Sequence, residues 1–591
     1  MSIQPSATKL DELDKKGDDV NHISEVASVA NDEVAKVAPT PVVKVNSYLD
    51  DEHINLGWRS WMAVFVTCFA NGAQVFVVTA AGSVIAFIVR DLGDAPLSGW
   101  IVQGPLLMQS VLSPIVGRLS DVLDRKYIAS LTPLVAFAGA VISARATSMK
   151  MLIGGGILIG TNLSTVAIVH SIPSEILPMK YRALANGFGY VAGAIGGLVG
   201  TLGSGGVTNA DAGGWRTIFW MQAAFYLASS IGLLLFYWPQ RRSDYPKMSL
   251  WGYVWSCDPI GSLLFAGGTC LLLLAFDWSG GAYHWSDPHV AVNLGVGGAL
   301  LIAFGLYEWK GRDDGLVAHV LFRGSPNFAL SVFTFSVEGW MFYSAVNSVT
   351  PQVVLNLGFE STSWEISKRQ LYYNVPALLA SLPIIWYATR YKDLKTPLLI
   401  TLVIFLVVVI CYACIQPWMS HAQIGFNIIC GIGQSGPLSL LVALVQFTAP
   451  HAYLSTATGL AFSARAIGGA FGSAVLSAII NGKLSSTYAP TISKLAISAG
   501  LPISSAPAFA AALKAGKPTT AIPGVTPEIL ALAVDKSHHL YAQAYRLAFS
   551  SIIPFVILAF VASCFLKGVK ELMTEHVEAT VEKIPDSKEA V

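Results

Sequence analysis

An all-α polytopic membrane protein is the fold class this sequence predicts, and three observations predict it. Apolar residues make up 53% of the 591 and charged residues only 12%, about half the roughly 25% of a soluble domain. The apolar residues fall in repeated runs of about 20, the length of a helix that crosses a bilayer. Lys and Arg gather in alternate loops between those runs, as they do when one side of a membrane faces the cytosol. The lipid bilayer is thus an expected partner, and a net charge of +1 argues against nucleic acid as another.

The elements follow in order. Residues 1–57 hold eleven Asp/Glu against five Lys and no apolar core, and they lack a signal-peptide pattern. They read as a disordered, acidic cytosolic tail. Fourteen spans come next. The first six, at 60–88, 98–116, 127–147, 151–174, 183–206 and 216–238, make a bundle over 58–238. A linker with two further spans, 258–277 and 290–309, fills 239–325. The last six, at 327–353, 370–389, 396–418, 422–447, 453–480 and 546–567, make a second bundle over 326–568. Residues 569–591 form a second tail. Loops after the even-numbered spans, up to the tenth, hold fourteen basic residues, and the short loops opposite hold six. Both termini are therefore expected in the cytosol. Residues 482–545, rich in Ala, Ser and Pro, read as a long external loop.

Chemistry-bearing patterns are sparse. Seven Cys occur. Cys411 and Cys414 form a CxxC inside TPLLITLVIFLVVVICYACIQPW, where packing a small apolar side chain is the common use of buried Cys. His284 and His289 flank Asp287 in HWSDPH, which lacks a metal or acyl-transfer pattern. No Gly-rich phosphate loop ending in Lys-Ser/Thr appears, so ATP is not the expected energy source. The chain is read as a non-enzyme without cofactor or metal.

The chain repeats itself. A shift of 272 residues aligns PMKYRALANGFGYVAGAIGG (178–197) with PHAYLSTATGLAFSARAIGG (450–469), with nine of twenty positions identical, among them Gly187/Gly459, Gly196/Gly468 and Gly197/Gly469. Each segment leads into the fifth span of a six-span half. Parallel six-span repeats build a central site between two bundles in one large group of transporters. Spans 7 and 8 are then an inserted pair.

One loop is far more charged than its surroundings: GRLSDVLDRKY, residues 117–127. Its Gly117-x-Leu119-x-Asp121-x3-Arg125-Lys126 resembles the cytosolic signature between spans 2 and 3 of the major facilitator superfamily, with Asp124 where the family has Gly. GYVAGAIGG (189–197) resembles that family's span 5 antiporter signature, with Ala194 in place of Pro. Gly156 stands where span 4 of the family carries an Arg. GGWRTIFWMQ, Asp258-Pro-Ile-Gly and DWSGGAYHWSDP (277–288) are similar to a fungal, fourteen-span subgroup of trichothecene-type efflux pumps and siderophore-iron transporters. The resemblance covers 58–568. It implies the major facilitator fold, with two six-helix bundles plus two inserted helices, in a monomer that moves a small molecule by alternating access. It also implies a gating set of Gly117, Arg118, Asp121, Arg125 and Lys126. Asp121 would meet the start of span 13 at YLSTATG, where orphan N–H groups favour an anion. Arg118, Arg125 and Lys126 would hold that Asp and the lipid headgroups.

Ionisable residues deep in a span are functional candidates. Glu338 lies eleven residues into span 9 and Arg465 twelve into span 13, both about 16–18 Å deep at 1.5 Å per residue. They are read as a proton-coupling pair, with protons as a partner. Asn71, Gln74, Gln103, Asn162, Trp340, Tyr343, Asn347, Tyr372, Tyr373 and Gln434 are candidates for a substrate cavity. His170 and Glu175 are read as interfacial. The glycines at 189, 193, 196, 197 and 200 are read as sites of close helix packing. The function expected is proton-coupled export of a bulky, mostly apolar metabolite or toxin across a fungal plasma membrane. The alternative is ferric-siderophore uptake on the same fold, and a membrane sensor is a reading from a different class.

Overall fold

The structure is a computed structural model, which describes residues 56–574 and 577 apart from 95–96, 98, 124, 212, 240–248, 280–282, 284, 324 and 520–521. The acidic N-terminal tail, Asp124 and most of the C-terminal tail lie outside the described residues. All described residues belong to one compact unit. Every regular element among them is a helix.

The first half comprises α1 (Trp58–Leu92), α2 (Trp100–Val122), α3 (Arg125–Ala144), α4 (Met149–Leu163), α5 (Val166–Ile176), α6 (Arg182–Ala210) and α7 (Trp215–Phe236). A short α8 (Leu250–Ser256) precedes the inserted pair, α9 (Pro259–Ser279) and α10 (Pro288–Lys310). The second half comprises α11 (Asn327–Gly339), a π-helical stretch Trp340–Val349, α12 (Thr350–Asn356), α13 (Ser363–Tyr391), α14 (Lys395–Tyr412), α15 (Ser420–Thr448), α16 (Leu454–Ser498), α17 (Ala506–Lys514) and α18 (Pro527–Cys564). Among the described residues, eleven helices are long and apolar enough to cross a membrane. The other three expected spans are helical too. α2 and α13 carry charges and prolines, and the ninth is interrupted by the π stretch.

Glycine sets close helix contacts at matching places in the two halves. A Cβ on Gly196 of α6 would lie 2.1 Å from the carbonyl oxygen of Gly72 in α1, and one on Gly468 of α16 would lie 2.1 Å from that of Ser336 in α11. The two glycines are equivalent in the 272-residue repeat, so each half pairs its first and fifth spans backbone to backbone. Side chains cannot fit at such a crossing, which is why small residues mark membrane helix interfaces.

Two spans break where the sequence reads as continuous. Span 4 is α4 and α5, parted at Ser164–Thr165. Gln74 of α1 fills the break, its Nε2 donating to Asn162 O at 2.9 Å and Thr165 Oγ1 at 3.2 Å. In span 9 the i→i+5 backbone is echoed by side chains: Asn347 Nδ2 donates to Phe342 O, and Thr350 Oγ1 to Ala345 O. Such π segments recur at functional sites.

The expected external loop at 482–545 is largely helix instead. α16 continues to Ser498, α17 follows, and α18 starts at Pro527 with Thr526 as its N-cap. Leu484, Tyr488, Ile492 and Ala496 are buried at every fourth position and share a core with Phe509 and Ile529. Four-residue spacing gives a helix one apolar stripe, and the Ala and Ser around it keep the average hydropathy too low to flag a span.

Candidate functional site

Between the halves lies a cavity of about 920 Å³, space open to solvent included. α1, α2, α4, α5 and α6 line one wall, and the π stretch, α13, α15 and α16 the other. Half of the lining residues carry a polar side chain, five of them Asn or Gln, set among Val, Leu, Phe, Ala and Gly, and Arg465 alone among them is charged.

One polar network dominates the second-half wall. Arg465 of α16 donates to both oxygens of Glu338, through Nε to Oε2 and through Nη2 to Oε1 at 3.1 Å. Its Nη1 donates to Tyr343 OH at 2.9 Å, and that hydroxyl lies 3.3 Å from Gln109 Oε1 of α2, across the cavity. Glu338 Oε1 also accepts from Gln434 Nε2 at 2.8 Å, whose Oε1 accepts from Tyr373 OH at 2.7 Å. Glu338 is 3% exposed and Arg465 6%. The guanidinium is also stacked near Phe335, Phe342 and Tyr343. A buried pair of this kind holds only while both partners remain, because an orphaned charge costs about 3–5 kcal/mol.

The cavity is closed at the end that carries GRLSDVLDRKY, the basic end. Gly117 and Gly459 let α2 and α16 touch: a Cβ on either would lie 2.5 Å from a carbonyl oxygen, that of Ser455 or Ser113. Asp121 sits at the start of α16, accepting from Ser455 N at 3.2 Å, Thr456 N at 2.7 Å and Thr456 Oγ1 at 2.7 Å. Arg125 pairs with Asp121 and with Glu175 of α5. A second polar layer lies nearer the cavity. Gln446 of α15 accepts through Oε1 from Ser174 Oγ and Asn186 Nδ2, each at 2.7 Å. Its backbone carbonyl accepts from Arg182 Nη1 at 2.9 Å.

These contacts give the chain a site between two repeated halves, and comparison with known proteins says which family builds it. The profile of the Major Facilitator Superfamily matches residues 61–473. The chain belongs to the major facilitator superfamily. Among relatives of this superfamily member, the trichothecene efflux pump TRI12 of Fusarium sporotrichioides is 22% identical over 514 residues, 85% of each chain. The MFS-type transporter prx5 of Penicillium rubens is 24% identical, over 87% of this chain and 92% of its own. In fold it is similar to the human organic anion transporter MFSD10 (TM-score 0.52, 12% identity, 85% of this chain and 99% of that one). A bacterial homologue of the lysosomal transporter Spinster, inward-facing and unoccupied, gives a TM-score of 0.50 at 15% identity, over 86% and 97%. The protein is thus a multi-pass membrane transporter for a small molecule.

The superfamily member's structure sorts the residues expected at its site. Asn71, Gln74, Tyr343, Asn347, Tyr373 and Arg465 line the cavity, with Glu338 and Gln434 directly behind. Four do not. Gln103 faces a separate small pocket with Trp100 and Asp277, because six residues of helix turn it well away from Gln109. Asn162 is buried at the α4–α5 break. Trp340 packs against Phe471 and Phe555 over Gly472. Tyr372 points outward, 45% exposed, one residue from the inward Tyr373.

The basic side chains also differ from expectation. Arg118, Arg125 and Lys126 are each at most 5% exposed, buried in protein instead of reaching headgroups. Arg118 leaves Asp121 to Arg125 and donates to Ser256 O and Asp314 O, each at 3.0 Å, in the segments flanking the inserted pair. Lys126 lies over the Trp238 ring. Glu175 and His170 are not interfacial: the first pairs with Arg125, the second lines the cavity. Gln109, Tyr190 and Asn374 line it as well, and nothing in their spacing distinguishes them from packing residues. The 272-residue shift does hold one further signal. It carries Arg118 and Asp121 onto Arg390 and Asp393, whose carboxylate accepts from Lys395 N and Thr396 N at the start of α14.

Proposed function

We propose that the protein exports a bulky, mostly apolar metabolite or toxin in exchange for protons, by alternating access, as a monomer in a fungal plasma membrane with both termini in the cytosol. The observation that carries this reading is the buried Glu338–Arg465 pair at the wall of a cavity closed at one end by Asp121. A relative named as a trichothecene efflux pump supports the direction and the class of cargo. A lining whose one charged residue, Arg465, is already paired suits a neutral molecule better than a phosphate or a sugar acid.

In this reading the basic end faces the cytosol and the described state is closed to it. A proton arriving from outside neutralises Glu338 and releases Arg465, whose unpaired charge is then costly in its buried site. The two arrangements of the pair therefore favour different states, which is what a coupled carrier needs. Asp121, held by the N-terminus of α16, can make its contacts only while the cytosolic end is shut. It acts as a latch with Gly117, Arg125 and the buried Arg118 and Lys126 around it.

Intracellular accumulation of a labelled trichothecene-type sesquiterpenoid, in cells overexpressing or lacking the protein, tests the reading. Lower accumulation on overexpression, abolished by a protonophore, is the expected result. Unchanged accumulation would sink export of this cargo class, and protonophore-insensitive export would sink proton coupling.

A further inference from the structure

The export reading leaves one buried ring without a role. His170 of α5 is at the cavity wall, its ring centroid 5.1 Å from that of Phe462. Its Nδ1 lies 3.1 Å from Asn186 Oδ1. Asn186 Nδ2 already donates to Gln446 Oε1 at 2.7 Å, Arg182 O at 3.0 Å and Ser174 Oγ at 3.2 Å. The amide therefore offers the ring only an acceptor, which puts the ring proton on Nδ1 and makes Nε2 a lone-pair acceptor. Nε2 has no protein partner among the described residues, and the ring stays partly open to the cavity.

A second acceptor lies buried behind the same wall. Gln74 lines the same wall, and its two donor bonds across the α4–α5 break fix which end of the amide is nitrogen. Gln74 Oε1 is then buried with no hydrogen bond, a position that native interiors rarely tolerate without a ligand or water. On the opposite wall, each nitrogen of Arg465 already donates to Glu338 or Tyr343. Two acceptors of the first-half wall are thus without a protein partner among the described residues.

We propose that His170 Nε2 is the acceptor of a subsite for hydroxyl groups of the cargo, on the wall it shares with Gln74. The preferred molecule is mostly apolar with free hydroxyls, and masking those hydroxyls weakens its recognition. This inference rests on the export reading and narrows its substrate class.

The test uses two labelled probes, a hydroxyl-bearing sesquiterpenoid and its O-acetyl ester, and reads their export ratio at matched surface levels of protein. The wild-type protein favours the alcohol roughly tenfold, the scale of one hydrogen bond. His170→Asn retains a donor for Asn186 but has no acceptor at the Nε2 position, so the ratio falls to near one. His170→Gln retains an acceptor there and keeps most of the preference. Equal handling of alcohol and ester by the wild-type protein overturns the subsite without recourse to any variant, as does an unchanged ratio in His170→Asn. Export of neither probe above cells lacking the protein overturns the export reading instead, and the subsite with it.

Discussion

Arg465 uses three nitrogens on two partners, and the repeat shows how unusual that is within this chain. Its equivalent 272 positions earlier is Gly193, which lines the cavity with no side chain at all. Ser336 and Gly72 occupy matching crossings, so the counterpart of Glu338 is Gln74. One half therefore carries a charged pair where the other carries an amide beside a gap. Glu338→Gln should separate coupling from carriage, because the amide can still accept from Arg465 and Gln434 but cannot bind and release a proton. Exchange of labelled cargo between vesicle faces should persist in this variant, while uphill transport driven by a pH gradient is lost. Gradient-driven transport at the wild-type rate would remove Glu338 from the coupling site. Stability should fall by about 3–5 kcal/mol, since Arg465 keeps its buried charge without a counter-ion.

At the scale of helices, the glycines of GYVAGAIGG divide into two kinds that the sequence presents alike. A methyl on Gly196 would strike the backbone oxygen of Gly72 at 2.1 Å, and the two helices would have to separate. A methyl on Gly193 would meet side-chain tips, Val75 Cγ2 at 3.1 Å and Asn71 Nδ2 at 3.2 Å, which need give by only a few tenths of an ångström. Gly196→Ala should therefore destabilise the protein by the 1–3 kcal/mol typical of overpacking. Gly193→Ala should change stability little and reduce the room available to cargo. Thermal unfolding of the two variants in detergent checks the contrast, and equal losses would mean that both glycines only pack helices. The π stretch Trp340–Val349 belongs to this scale as well. It turns Tyr343 and Asn347 to the cavity while Trp340 packs outward over Gly472.

Across the whole molecule, the basic end is shut by two polar layers, Asp121 on α16 and Gln446 with Ser174 and Asn186. If the halves rock about the cavity, both layers must open in every cycle. Ser174→Cys with Gln446→Cys, joined by a short thiol cross-linker, should abolish transport, and a reductant should restore it. Transport that survives cross-linking would mean that cargo does not pass this end.

The fold was legible in the sequence because bilayer thickness imposes one run length on every span, and charge marks the loops between them. The Asp121 loop and the Glu338–Arg465 pair were legible for a related reason: charges are scarce in such a chain, so each one stands out. Neutral polar and aromatic residues carry no such contrast. Tyr372 and Tyr373 are adjacent and read the same, yet one faces outward and the other faces the cavity. Gln103 and Gln109 share a helix but not a face. Which face of a helix meets the cavity is set by its rotation against its neighbours, and that rotation depends on glycine crossings, the α4–α5 break and the π stretch. Composition and spacing determined where the apolar runs lie and where charge enters the membrane. Only the packed structure decided which side chains meet, because most of those meetings join residues on different helices, up to 335 positions apart.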